Sequence, residues 1–250
     1  MRTSLIGIVL CIAWTACFSQ EQNPGRRPGL GAYPEAEATA AWRALAAGYV
    51  RKALKEEKLN SDPLLNARVD AVMAGIGATV AVLDPRFRNA TWKAILIEEF
   101  GHGAVAFPGE TILVDAKFVR TLQLTDDELA LILSHEVAHV VAGHAFEKLS
   151  FMADTVGRDK APTARSALLE FLARDAYSEA FQPVARLQER EADTVGAGIL
   201  FASEYDVGRA LRLFDKLIAL DGRWALDTHD SAATRKKAVT AVLEELRRTR

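Results

Sequence analysis

The stretch Thr125–Val141 constrains this fold more than any other part of the chain. Leu129, Leu131, Ile132, Leu133, Val137, Val140 and Val141 recur through it, and Thr125 with Glu128 gives the capping-box pattern of a helix start. Inside this apolar helix stand His135, Glu136 and His139. At about 100° per residue the two imidazoles lie only about 40° apart around the axis, one turn above each other. Burying two histidines and a carboxylate without partners would cost several kcal/mol. The fold must therefore leave this face in water with an ion-paired glutamate, or bring a partner to it.

Two imidazoles so placed can both reach one zinc ion, because the helix fixes their separation. Glu136 points to the side of the same face. It can reach water on the metal without ligating it, which is what a general base needs. The H-E-x-x-H spacing is not decisive alone, since chance produces it in on the order of 1% of chains this long. Catalytic zinc also takes a third protein ligand. His144 does not fit in a continuing helix: nine residues after His135 and five after His139 put it about 180° and 140° away. It reads as a structural or surface histidine. Ala142 and Ala145 occupy the glycine and third-histidine positions of the longer H-E-x-x-H-x-x-G-x-x-H pattern. Glu189 and Asp193, four apart and so on one face of another helix, offer a ligand and a carboxylate to orient a ligating imidazole. The run Glu189-Arg190-Glu191 also reads as solvated charge, and spacing leaves both readings open.

The remaining sequence sets the architecture. Half of the 250 residues are apolar and 26% are charged, enough for a substantial core, and no internal repeat is visible. The formal charge of -2, with both signs interspersed, gives no electrostatic case for a nucleic-acid partner. Helices are predicted over Glu35–Lys58 and from Ser61-Asp62-Pro63 to Leu83. Strand patterns follow at Trp92–Glu98, Gly103–Phe107 and Thr111–Asp115, punctuated by Gly101, Pro108 and Gly109, and predict a small antiparallel sheet. From Asp115 onward the pattern is helical almost to the end. The fold class is α+β: a helix-rich body with one small sheet.

At the N-terminus, Arg2 and the apolar run Leu5–Phe18 read as an export signal over residues 1–19. A Pro- and Gly-rich tether over 20–35 and one domain over 36–250 follow. Cys17, in Thr15-Ala16-Cys17, is a candidate lipid-attachment site, with Trp14 where a lipobox has leucine. Both cysteines, Cys11 and Cys17, lie in the export segment, so a chain cut before Gln20 has neither disulfide nor thiol chemistry. The strand Ala104, Val105, Ala106, Phe107 is a candidate edge for holding an extended peptide by main-chain hydrogen bonds; a plain sheet edge of small residues has the same pattern.

His135-Glu-Val-Ala-His139, followed by Glu189-Arg-Glu-Ala-Asp193, resembles the M48 family of zinc endopeptidases. Gly103-Ala-Val-Ala-Phe-Pro-Gly109 is similar to the family's N-A-F-A-L-P-G segment. Arg186 matches its S-R-x-x-E-x-E-A-D run, with Ala185 in place of the serine. Thr228-His229 with Arg235 resembles its T-H-P…R element, with Asp230 in place of the proline. The resemblance spans roughly residues 62–240 and implies a zincin-like metallopeptidase binding one zinc ion per chain. It further implies that His135, His139 and Glu189 ligate zinc, that Glu136 activates water, and that Asp193 braces a histidine from behind. His229 would face the developing oxyanion or the substrate, with a plain loop histidine as the other reading, and Arg235 would either brace its loop or be an ordinary helix charge. Unfolded or misassembled polypeptides of the periplasm or cell envelope are the implied substrates. The rival expectation is a zinc-bound chaperone or binding module with latent proteolysis, its open metal position filled by His229 or a nearby loop.

Overall fold

The computed structural model describes residues 30–220 and 228–249. The export segment, Cys17 and the first part of the tether lie outside the described residues. Helix α1 (Glu35–Lys55) and helix α2 (Pro63–Leu83) come first. The Asp62 side chain caps α2 by accepting from the Leu64 and Leu65 amides, with Pro63 at the first helical position. α1 stops three residues before the expected Lys58, because the chain there turns to meet the sheet. The Glu98 amide donates to the Lys58 carbonyl at 2.7 Å, and Leu59 bridges to Ile97.

The strands are β1 (Lys93–Ile97), β2 (Ala104–Phe107) and β3 (Thr111–Asp115), in the order β1-β3-β2. β2 and β3 are antiparallel, but β1 and β3 are parallel, so the sheet is mixed and not wholly antiparallel as the sequence suggested. The physical reason is burial. β3 (Thr-Ile-Leu-Val-Asp) has four of its five residues buried and takes the centre, where both faces are covered. The chain leaving β1 passes this central place, forms β2 on the outside, and returns.

Helices complete the chain: α3 (Ala116–Thr121), α4 (Asp126–Val141), α5 (His144–Val156), α6 (Ala164–Ala173), α7 (Asp175–Ala202), α8 (Val207–Ala210), α9 (Arg212–Ala219) and α10 (Ala232–Arg248). With one small sheet among them, the fold is α+β and helix-rich, as expected. The sheet separates two cores. Leu96, Ile112 and Val114 face one core, shared with α2, α4, the second half of α7 and α10. Ile97, Phe107 and Leu113 face the other, shared with α1, α5, α6 and Phe181 of α7. The 28-residue α7 thus runs from one core into the other and crosses α4 on the way.

Candidate metal centre

α4 begins as the sequence requires. The Thr125 hydroxyl accepts from the Glu128 amide while the Glu128 carboxylate accepts from the Thr125 amide. Three turns later α4 presents His135 and His139 to α7. At the crossing Gly196 leaves no space for a side chain: a β-carbon there would come within 2.9 Å of His135 Cα and 3.0 Å of its amide nitrogen. That close approach carries Asp193 and Glu189, one and two turns earlier on α7, onto the histidine face.

Donor atoms converge there. His135 Nε2 lies 3.1 Å from His139 Nε2 and 3.2 Å from Glu189 Oε2, and His139 Nε2 lies 3.6 Å from the same oxygen. Donors on one tetrahedral metal with bonds near 2.0–2.1 Å sit about 3.3 Å apart, so this trio fits a small divalent ion. His229, in the loop before α10, is 2.7 Å through Nε2 from Glu189 Oε2. Its donor atom and those of His135 and Glu189 all lie within 4.8 Å of one another. One carboxylate oxygen is therefore shared by three imidazoles.

Each of these side chains is held from behind. His135 Nδ1 is 3.0 Å from Asp193 Oδ1, and Arg235 from α10 grips both oxygens of Asp193 at 2.7 and 2.9 Å. The spacing Glu189…Asp193 thus places one carboxylate in front of His135 and the other behind it. The His229 loop is tied to α7 by Asp230, whose carboxylate receives Arg190 at 2.8 and 3.2 Å. That ion pair anchors the loop one residue from Glu189.

The electrostatics follow from this crowding. Burial opposes charge on His135, but its bonds to Asp193 and Glu189 prevail and raise its pKa to about 9. Burial likewise opposes ionisation of Glu189 and Asp193. The His135, His139 and His229 imidazoles gathered around it hold Glu189 well below the usual carboxylate range, and bonds to His135 and Arg235 do the same for Asp193.

Glu136 lines a cleft of about 400 Å³ beside the donors, with His229 across from it and Phe118, Leu131, Phe214 and Leu217 as apolar walls. Ala104, at the start of β2, lines the same cleft. β2 pairs only with β3 among the described residues, so Ala104, Val105, Ala106 and Phe107 form a sheet edge. One participant escaped sequence reasoning, and one takes the structural of its two readings. Gly196 left no signal, because a helix crossing is not written in one helix's pattern. His144 is no surface residue: it is 3% exposed and its Nδ1 lies 2.8 Å from His139 Nδ1.

A helix carrying H-E-x-x-H, crossed by a second helix that brings a glutamate to both imidazoles, defines a zincin-like metallopeptidase domain. The sequence profile of peptidase family M48 matches residues 63–243, and the chain belongs to that family. Among curated relatives it is 25% identical over 171 residues to the mitochondrial metalloendopeptidase OMA1 of Schizosaccharomyces pombe, covering 62% of this chain and 47% of that protein. It is 27% identical over 170 residues to the mitochondrial metalloendopeptidase OMA1 of Arabidopsis thaliana, covering 62% of this chain and 33% of that one. The chain thus matches less than half the length of either relative.

Proposed function

We propose that this chain is a zinc-dependent endopeptidase. The observation that carries the proposal is the meeting of His135, His139 and Glu189 donors within 3.1–3.6 Å at the mouth of a cleft lined by Glu136. Two imidazoles and one carboxylate are a donor set that catalytic zinc takes. His135, His139 and Glu189 would hold the zinc ion, which would supply a water acidified to a pKa of about 7 and a Lewis acid for the carbonyl. Glu136 takes the proton from the attacking water and returns it to the leaving amine. Asp193, itself gripped by Arg235, keeps His135 in the tautomer that leaves Nε2 free. The edge of β2 holds an extended substrate by its main chain, so its side-chain sequence counts for little there.

Residues 1–19 as an export signal, with a lipid anchor at Cys17 a further option, direct this activity to unfolded or misassembled polypeptides of the cell envelope. The decisive experiment is casein cleavage with and without chelator, beside Glu136→Gln. Turnover should vanish with chelator and drop at least a hundredfold in the variant, with zinc retained. A fully active Glu136→Gln protein would overturn the role of Glu136.

The 2.7 Å contact of His229 Nε2 with Glu189 supports a second reading, a latent form in which His229 takes the remaining metal position. His229→Ala discriminates. Activity rises if His229 latches the site and falls if it serves the developing oxyanion.

A further inference from the structure

α4 does not continue into α5. Gly143, at φ 75°, breaks the helix, and the two helices meet at a bend of 44°. His144 therefore opens a new helix instead of lying about 140° round the old one. Its ring stands edge-on to His139, with centroids 4.8 Å apart. His144 Nδ1 is 2.8 Å from His139 Nδ1, and His144 Nε2 is 3.2 Å from Glu191 Oε2. α7 also fixes the backbone beneath this ring: Gln188 Nε2 donates to the His144 carbonyl at 3.2 Å and to Glu147 Oε2 at 2.7 Å.

Proton placement in this chain has one consistent direction. Two ring nitrogens at 2.8 Å need one donor and one acceptor. An ionised carboxylate only accepts, so His144 Nε2 carries the hydrogen toward Glu191, and in the neutral imidazole His144 Nδ1 is left with a lone pair. His139 Nδ1 must then be the donor. Its Nε2, which faces His135 and Glu189, keeps its lone pair.

We propose that His144 and Glu191 are positioning residues that lock His139 in its metal-ligating tautomer and ring orientation. They do for His139 what Asp193 and Arg235 do for His135. α7 then governs both imidazoles, with Glu189 and Asp193 on His135 and Glu191 on His139 through His144. The proposal rests on His139 being a metal ligand.

The test measures zinc affinity of the full chain by competition with a chromophoric chelator, together with the His139 tautomer by nitrogen-15 NMR of the zinc-loaded protein. His144→Leu removes the acceptor and should weaken zinc binding 10–100-fold, the usual cost of losing such a partner. His144→Asn places a carbonyl oxygen near the lost Nδ1 and should restore affinity to within about threefold, with His139 again protonated at Nδ1. Glu191→Gln keeps an acceptor oxygen and should bind zinc more tightly than Glu191→Ala. That pair makes the same comparison should His144→Leu not fold.

Unaltered affinity in a folded His144→Leu protein would overturn the proposal, and so would equal losses in His144→Leu and His144→Asn. His139→Ala separates the two possible failures. If it leaves zinc binding intact, the ligand assignment itself falls. If it abolishes binding while the His144 and Glu191 variants do not, only the positioning role falls.

Discussion

His135 touches Asp193 through one nitrogen and Glu189 through the other, so in the metal-free protein it carries a proton that a metal would displace. Its pKa is raised to about 9 against an ordinary value of 6.5. A group raised on folding adds stability that is complete below the unfolded pKa and disappears as pH climbs through the folded one. The metal-free protein should therefore be most stable near pH 6 and lose on the order of 3 kcal/mol by pH 9–10. That is roughly 5–10 °C of melting temperature for a chain of this size. Glu189 and Asp193, both held low, contribute throughout that range and do not mask the loss. Calorimetry in chelator across pH 6–10 checks this, and a flat profile would show that His135 is not protonated in the site. At this scale helical spacing placed His135, Glu136 and His139 together on one helix, while for Glu189 and Asp193 spacing left two readings open and only the family resemblance chose between them. For His144 it left structural and surface readings open; the structure takes the structural one, at a place no angle along a continuous helix gives, because Gly143 interrupts the helix. A glycine there is equally compatible with a continuous helix, at a cost of only about 1 kcal/mol.

At the scale of elements, the crossing of α4 and α7 is what makes a site from two separate motifs, and Gly196 permits it. An alanine at 196 would put its β-carbon 2.9 Å from His135 Cα and 3.1 Å from the Ser134 carbonyl oxygen, both backbone atoms that cannot swing aside. The helices must separate by a few tenths of an ångström or more, which typically costs 1–3 kcal/mol in a packed core. Glu189 would then draw back from both imidazoles together. Gly196→Ala should lower stability by that amount in urea unfolding and weaken metal binding at least tenfold, although residue 196 ligates nothing. Gly48→Ala, in α1, where a β-carbon would meet nothing closer than 4.0 Å, is the control. Retained affinity in a folded Gly196→Ala protein would show that the crossing distance does not set the site. Helix existence, the Thr125 cap and the strand segments were legible from periodicity and capping chemistry. Strand pairing was not, since β1 and β3 pair across the intervening β2 because of how deeply β3 is buried, a tertiary property.

In the whole molecule, the donors sit on a seam. α4 belongs to one core, α7 runs through both, and the His229 loop leads into α10, whose Val239, Leu243 and Leu246 are buried. A metal held there joins elements that are already packed, whereas in small metal-dependent folds it substitutes for a missing core. Its removal should therefore loosen the site without dissolving the fold. Metal at a hundredfold excess over its dissociation constant stabilises by about 2.7 kcal/mol, or about 5–10 °C in melting temperature. The chelated protein should keep its helical circular dichroism and still unfold in one cooperative step, with faster hydrogen exchange confined to the His229 loop, the start of α10 and the middle of α7. β3 and α2 should remain protected, because neither contributes a donor and both pack into the apolar cores. A chelated chain that has lost its helical signal at room temperature would mean that the metal, and not the two cores, holds the fold together.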